Sequence, residues 1–94
     1  MAEEMVRYFG QAAGRVQGVG FRFFVQQNSL ELGITGWVRN MDDGTVTMEL
    51  QGLPERIDIL EKRIRKGNYF IQVKSLEFQT LELVSGEKDF HIRY

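Results

Sequence analysis

A chain of 94 residues, 43% hydrophobic and 27% charged, can enclose one soluble core and has no room for a second. Its 12 Lys and Arg against 13 Asp and Glu give a formal net charge of −1, which removes the broad positive field of a nucleic-acid binder and leaves only local positive spots. The lack of cysteine excludes a disulfide framework, a thiolate nucleophile and a zinc-thiolate centre.

The start, Met1-Ala2-Glu3-Glu4-Met5, is acidic and without the apolar run of a signal peptide, and no later stretch approaches the roughly 20 apolar residues of a membrane span. We expect one domain over 1–94, cytoplasmic, with neither a membrane nor a nucleic-acid partner. Residues 6–13 read as a first strand with Tyr8, Gly10 and Ala12 on its inward face. Gly10 leaves space that a bulky neighbour, such as one of the seven phenylalanines, must fill.

That strand runs into Gly14-Arg15-Val16-Gln17-Gly18-Val19-Gly20-Phe21-Arg22. Glycines at 14, 18 and 20 admit positive φ and close backbone approach, so successive N–H groups can form an anion-binding nest. A helix beginning near Phe21 adds unpaired N–H groups and its positive dipole end, and Arg22 adds a planar fork of donors matched to phosphate oxygens. On spacing alone the stretch stays open between such an oxyanion cradle and a solvated glycine-rich connection. It is not a P-loop, because Phe21-Arg22 follows Gly20 where Lys-Ser/Thr is needed, and its glycines do not follow the G-x-G-x-x-G order of a dinucleotide site.

The helix spans 21–32, with Phe21, Phe24, Val25 and Leu32 as its core stripe and Gly33 as its stop. Arg22 lies about 100° round from Phe21 and is free to face the loop. Residues 35–40 and 45–51 form a hairpin in which Val46, Met48 and Leu50 point inward and Thr45, Thr47, Glu49 and Gln51 outward. Asp42 and Asp43 belong to the turn rather than to a metal site, since no His or further carboxylate converges in the local sequence.

Pro54 opens a second helix that buries Ile57, Leu60 and Ile64, and the run Lys62, Arg63, Arg65, Lys66 is a solvated face suited to the negative end of its dipole. A strand within 71–83 puts Val73, Leu76 and Phe78 in the core, with an irregularity near Lys74-Ser75. After a turn at Ser85-Gly86, a last strand points Phe90, Ile92 and Tyr94 inward and His91 and Arg93 outward. His91, with no partner serine or carboxylate motif, reads as surface. The order β-α-β-β-α-β, with a further strand contribution near the end, is an α+β fold: a ferredoxin-like split β-α-β sandwich, its sheet antiparallel and both helices on one face.

The run from Gly14 to Arg22, then Phe24-Val25-Gln26 and Leu32-Gly33-Ile34-Thr35-Gly36-Trp37-Val38-Arg39-Asn40, resembles the acylphosphatase family. So do the Asp43-Gly44-Thr45-Val46 turn, Gly52 before the second helix and the closing Phe90-His91-Ile92-Arg93-Tyr94. Two long motifs in the right order and separation are far more specific than one glycine pattern. The chain departs from the family in its small inward Gly10 and Ala12 and in the lack of proline in Gly67-Asn68-Tyr69-Phe70.

The resemblance implies a free-standing, monomeric enzyme that hydrolyses small acyl phosphates without a metal or other cofactor. Carried over residue by residue, it implies that backbone N–H groups across Arg15, Val16, Gln17, Gly18, Val19 and Gly20 hold the phosphate oxygens, that Arg22 grips them bidentately, and that Asn40 orients the attacking water. Arg15 would act through its peptide group rather than its charge. Spacing does not bring Arg22 and Asn40 to one pocket; the resemblance does. The chemistry suits this residue set, because the leaving carboxylate has a pKa of about 4–5 and departs without a general acid. Two alternatives stay open. One is a non-enzymatic ferredoxin-like module for phosphorylated ligands or a protein partner. The other is an RRM-like RNA binder, which calls for a basic surface that the 12 to 13 charge count opposes.

Overall fold

The computed structural model describes residues 4–94, so Met1, Ala2 and Glu3 and the reading made of them lie outside the described residues. Its elements are β1 (Val6–Arg15), α1 (Phe21–Glu31), β2 (Thr35–Asn40), β3 (Val46–Gly52), α2 (Pro54–Lys66), β4 (Gln72–Leu81) and β5 (Phe90–Arg93). They form one five-stranded sheet in the order β4-β1-β3-β2-β5, the ferredoxin-like arrangement expected from the pattern. Helix α1 packs on β2 and β5, and α2 on β3 and β4. Among the described residues no helix is long and apolar enough to cross a membrane.

The alternation in β3 sends Val46, Met48 and Leu50 under the helices, where they meet Phe21 and Val25 of α1 and Ile57, Leu60 and Ile64 of α2 in one buried cluster. Full burial of such side chains contributes about 1.5–3 kcal/mol each. The space left by Gly10 is taken by Phe78: a Cβ built at position 10 would meet the Phe78 ring at 2.7 Å. That ring in turn lies 5.7 Å from the Tyr8 ring. The irregularity expected near Lys74-Ser75 is a register shift, with Ala13 opposite Ser75 and Gly14 opposite Val73, so Lys74 is the extra residue. Gly14 belongs to this bulge, where a side chain would run into the Gln72 carbonyl, and not to the loop that follows.

Three expectations need correction. The sheet is mixed, because β5 pairs with β2 in parallel, Gly36 opposite Phe90 through Arg39 opposite Arg93. Strands β4 and β5 are the two edges, so the chain between them must cross the whole sheet before its last strand. The outward residues Thr47 and Gln51 are buried: Thr47 lies between Gln11 and Arg39 on neighbouring strands, and Gln51 is covered by the crossing segment. Gln51 Nε2 donates to the Val84 carbonyl at 2.9 Å, and Val84 N–H donates to Gln51 Oε1 at 2.9 Å. Tyr94, expected inward, is 88% exposed, because the pairing with β2 ends one residue before it.

Candidate functional site

The loop between β1 and α1 gets its shape from Gly18 and Gly20, whose φ angles of 72° and 78° are those an L side chain resists. Nothing lies within 4 Å of where a Cβ would stand on either, so their backbone faces open space. Gly20 is also the N-cap of α1, and neither a side-chain cap nor an acidic residue occupies the first turn. The positive end of the helix is therefore left without an internal anion. Val16 plugs the base of the loop into the core at 1% exposure. The Gln17 amide straps the loop to the neighbouring hairpin, its Nε2 donating to the Met41 carbonyl at 2.7 Å and the Thr45 carbonyl at 2.9 Å.

A cavity of about 280 Å³ opens beside this loop, lined at its polar side by Gly18, Gly20, Arg22 and Asn40. Arg22 comes from the first turn of α1 and Asn40 from the end of β2, so two rigid elements deliver the two side chains. The Arg22 guanidinium has no carboxylate partner among the described residues. One Nη1 donates to the Arg93 carbonyl at a long 3.4 Å, and the plane sits 4.7 Å from the centre of the Tyr94 ring. Arg22 is the cavity's one ionised side chain. The Asn40 Oδ1 is buried and has no hydrogen-bond partner in the protein, a costly state for a carboxamide unless a ligand atom or water completes it.

Of the residues singled out in the loop, the structure brings Val16, Gly18 and Gly20 to the cavity with Arg22 and Asn40. It does not bring the Arg15 side chain, which is exposed on the last rung of β1 opposite Gln72. Gln17 and Val19 also turn their side chains elsewhere, Gln17 to the hairpin and Val19 to the core. Asp43 is committed to its turn: it accepts from the Thr45 hydroxyl at 2.6 Å and the Thr45 N–H at 3.0 Å, and these bonds hold its carboxyl below the usual carboxylate range. Among the described residues no group of three His, Cys, Asp or Glu is arranged to hold a metal ion. His91 is exposed on β5, on the face away from the helices.

Sequence reasoning missed Phe23, Ile92 and Tyr94, which complete the cavity wall. The signal for Tyr94 lies only in the topology. With Arg39 opposite Arg93, the next residues along the two parallel strands are Asn40 and Tyr94. Arg93 fixes that end by laying its guanidinium 4.7 Å from the Trp37 ring centre.

Comparison with known proteins gives a consistent result. The family model described as Acylphosphatase matches residues 8–92. An acylphosphatase of Clostridium beijerinckii is 42% identical over 90 residues, 96% of this chain and 100% of that protein. One from Geobacillus kaustophilus is 46% identical over 81 residues, 86% of each chain. The crystal structure of acylphosphatase from Bacillus subtilis superposes with a TM-score of 0.89 at 32% identity, covering 95% of this chain and 99% of that one.

Proposed function

Because this chain belongs to the acylphosphatase family, an enzyme family that hydrolyses acyl phosphates, we propose a specific route for its own residues. The N–H groups of the 15–20 loop and the first turn of α1 hold the phosphate oxygens, Arg22 clamps them, and Asn40 orients the water that attacks phosphorus. The observation that carries this reading is the meeting of an uncapped helix start, an arginine without a carboxylate partner and a buried, unpartnered amide oxygen around one cavity.

Water attacks phosphorus in line with the departing oxygen. The P–O bond to the acyl group breaks, its electron pair leaves on the carboxylate, and the water proton passes to a phosphate oxygen. Charge balances, a dianion and water giving a carboxylate and dihydrogen phosphate. The leaving group is stable as an anion at about pH 7, so the protein supplies position and positive charge rather than an acid. A carboxamide suits the water because it accepts and donates without repelling the dianion. No metal is assigned a part.

The test is release of inorganic phosphate from benzoyl phosphate with EDTA present, and competitive inhibition by inorganic phosphate. EDTA-resistant turnover with phosphate competing is the expected result. Loss of turnover in EDTA, restored by a divalent cation, refutes the metal-free route. Phosphate competition without turnover favours the non-enzymatic module.

A further inference from the structure

The mechanism leaves one large side chain at the cavity unused. Of the five apolar side chains in its wall, Val16 and Phe21 are consumed by the core, Ile92 packs against it, and the Tyr94 ring is engaged by the Arg22 guanidinium. Phe23 is different. It follows Arg22 on the first turn of α1, is 61% exposed, takes no part in the buried cluster and still lines the cavity.

We propose that the Phe23 ring is the rest for the acyl group, so that this protein takes acyl phosphates with an aromatic or extended apolar acyl chain in preference to acetyl or carbamoyl phosphate. The proposal rests on the phosphate clamp described above. A phosphoryl group held at Gly18, Gly20 and Arg22 has its acyl substituent within the same cavity, and in-line displacement puts that substituent on the side of phosphorus opposite the water. The Tyr94 ring is already engaged by the Arg22 guanidinium, which leaves Phe23 as the free apolar surface on the helix. An isolated exposed phenylalanine is ordinary on a protein surface; one that lines an anion cavity and adjoins its arginine is placed to read the rest of the ligand.

Inhibition constants of two stable analogues test this, phenacylphosphonate and acetonylphosphonate, in which a methylene replaces the bridging oxygen and only the acyl group differs. Inorganic phosphate serves as the clamp control. The wild-type protein should bind phenacylphosphonate about three- to tenfold more tightly than acetonylphosphonate, the scale of one aromatic contact. Phe23→Ala should erase that ratio, and Phe23→Tyr should keep it. A ratio near one in the wild type, or one unchanged in Phe23→Ala, overturns the acyl rest while phosphate inhibition leaves the clamp standing. If phosphate and both analogues fail to compete with the wild type, the clamp itself is wrong and the acyl rest falls with it.

Discussion

Arg7 and Arg22 carry the same charge into opposite surroundings. Arg7 is 3% exposed, on the sheet face away from the helices. Its Nε donates to Glu49 Oε1 at 2.9 Å, its Nη1 to Glu87 Oε1 at 2.8 Å and Gln51 Oε1 at 3.1 Å, and its Nη2 to Glu87 Oε2 at 3.3 Å. Arg22 faces the cavity with an aromatic ring and one long carbonyl contact. Removing a cation from water is tolerable only if carboxylates replace the water, so Arg7 is spent on structure. In the proposed reading Arg22 serves an external anion, which requires that no internal one reach it first, and it is held in place by groups that leave its charge uncancelled. Arg7 ties the crossing segment to the sheet, and that segment delivers β5, whose end bears Tyr94 beside Arg22.

The largest expected effect breaks the comparison at its functional end. Arg22→Ala should weaken phosphate inhibition roughly tenfold or more and nearly abolish turnover, because charge-assisted bonds of about 1.5–3 kcal/mol each are lost, while thermal stability stays close to wild type. Arg22→Lys should restore little, since a point charge does not reproduce the fork. Arg7→Ala should do the reverse. Two carboxylates and Gln51 lose their partner, at a cost of about 3 kcal/mol, the low end for breaking a buried pair because Glu49 and Glu87 keep some solvent contact. Thermal denaturation would read this as a lower Tm, by about 4–8 °C per kcal/mol. Equal stability loss in both variants would erase the distinction.

Asn40 sharpens it further by separating binding from chemistry. Asn40→Ala should lower kcat about 10²-fold or more while KM and phosphate inhibition move only slightly. Asn40→Asp should lose affinity as well, since it sets a carboxylate near the dianion and removes the amide donor. Steady-state hydrolysis of benzoyl phosphate by both variants, matched for folding by circular dichroism, checks this. If Asn40→Ala lost phosphate affinity as badly as Arg22→Ala, its role would be clamping.

The two arginines also mark where the sequence was legible. Gly18, Gly20 and Arg22 lie in one short run whose turn and helix start are local consequences of the residues themselves, and Asn40 came with the second motif. The β-bulge at Lys74 and the space beside Gly10 were legible as breaks in local pattern. Arg7 was not, because its partners lie 42 to 80 residues away: Glu49 and Gln51 reach it only through the pairing of β1 with β3, and Glu87 only after the chain has crossed the sheet. Tyr94 was misread for the same reason. Alternation predicts which face a strand residue takes only while the strand is paired, and where β5 stops pairing is decided by β2.

The smallest effect concerns pH and belongs to Arg7's side of the comparison. Burial alone would push the Glu87 carboxyl up, but the hydrogen bonds and positive charge of Arg7, with contributions from Thr35 and His91, outweigh it and hold its pKa below the ordinary value. A depressed folded-state pKa means that the stabilisation is complete above the unfolded value, about 4.3 for Glu, and is lost as pH falls through the folded value. Asp43 is shifted in the same direction by Thr45, so acid sensitivity of the wild type alone does not identify Glu87. The informative quantity is the stability gap between wild type and Glu87→Gln, in which Asp43 is common to both. That gap should be at full size near pH 5 and shrink below about pH 4.5, measured by urea denaturation at each pH. Phosphate inhibition at neutral pH should differ little between the two proteins, since Glu87 does not line the cavity. A gap that persists unchanged to pH 2 would mean that the ionisation of Glu87 contributes nothing to holding the crossing segment.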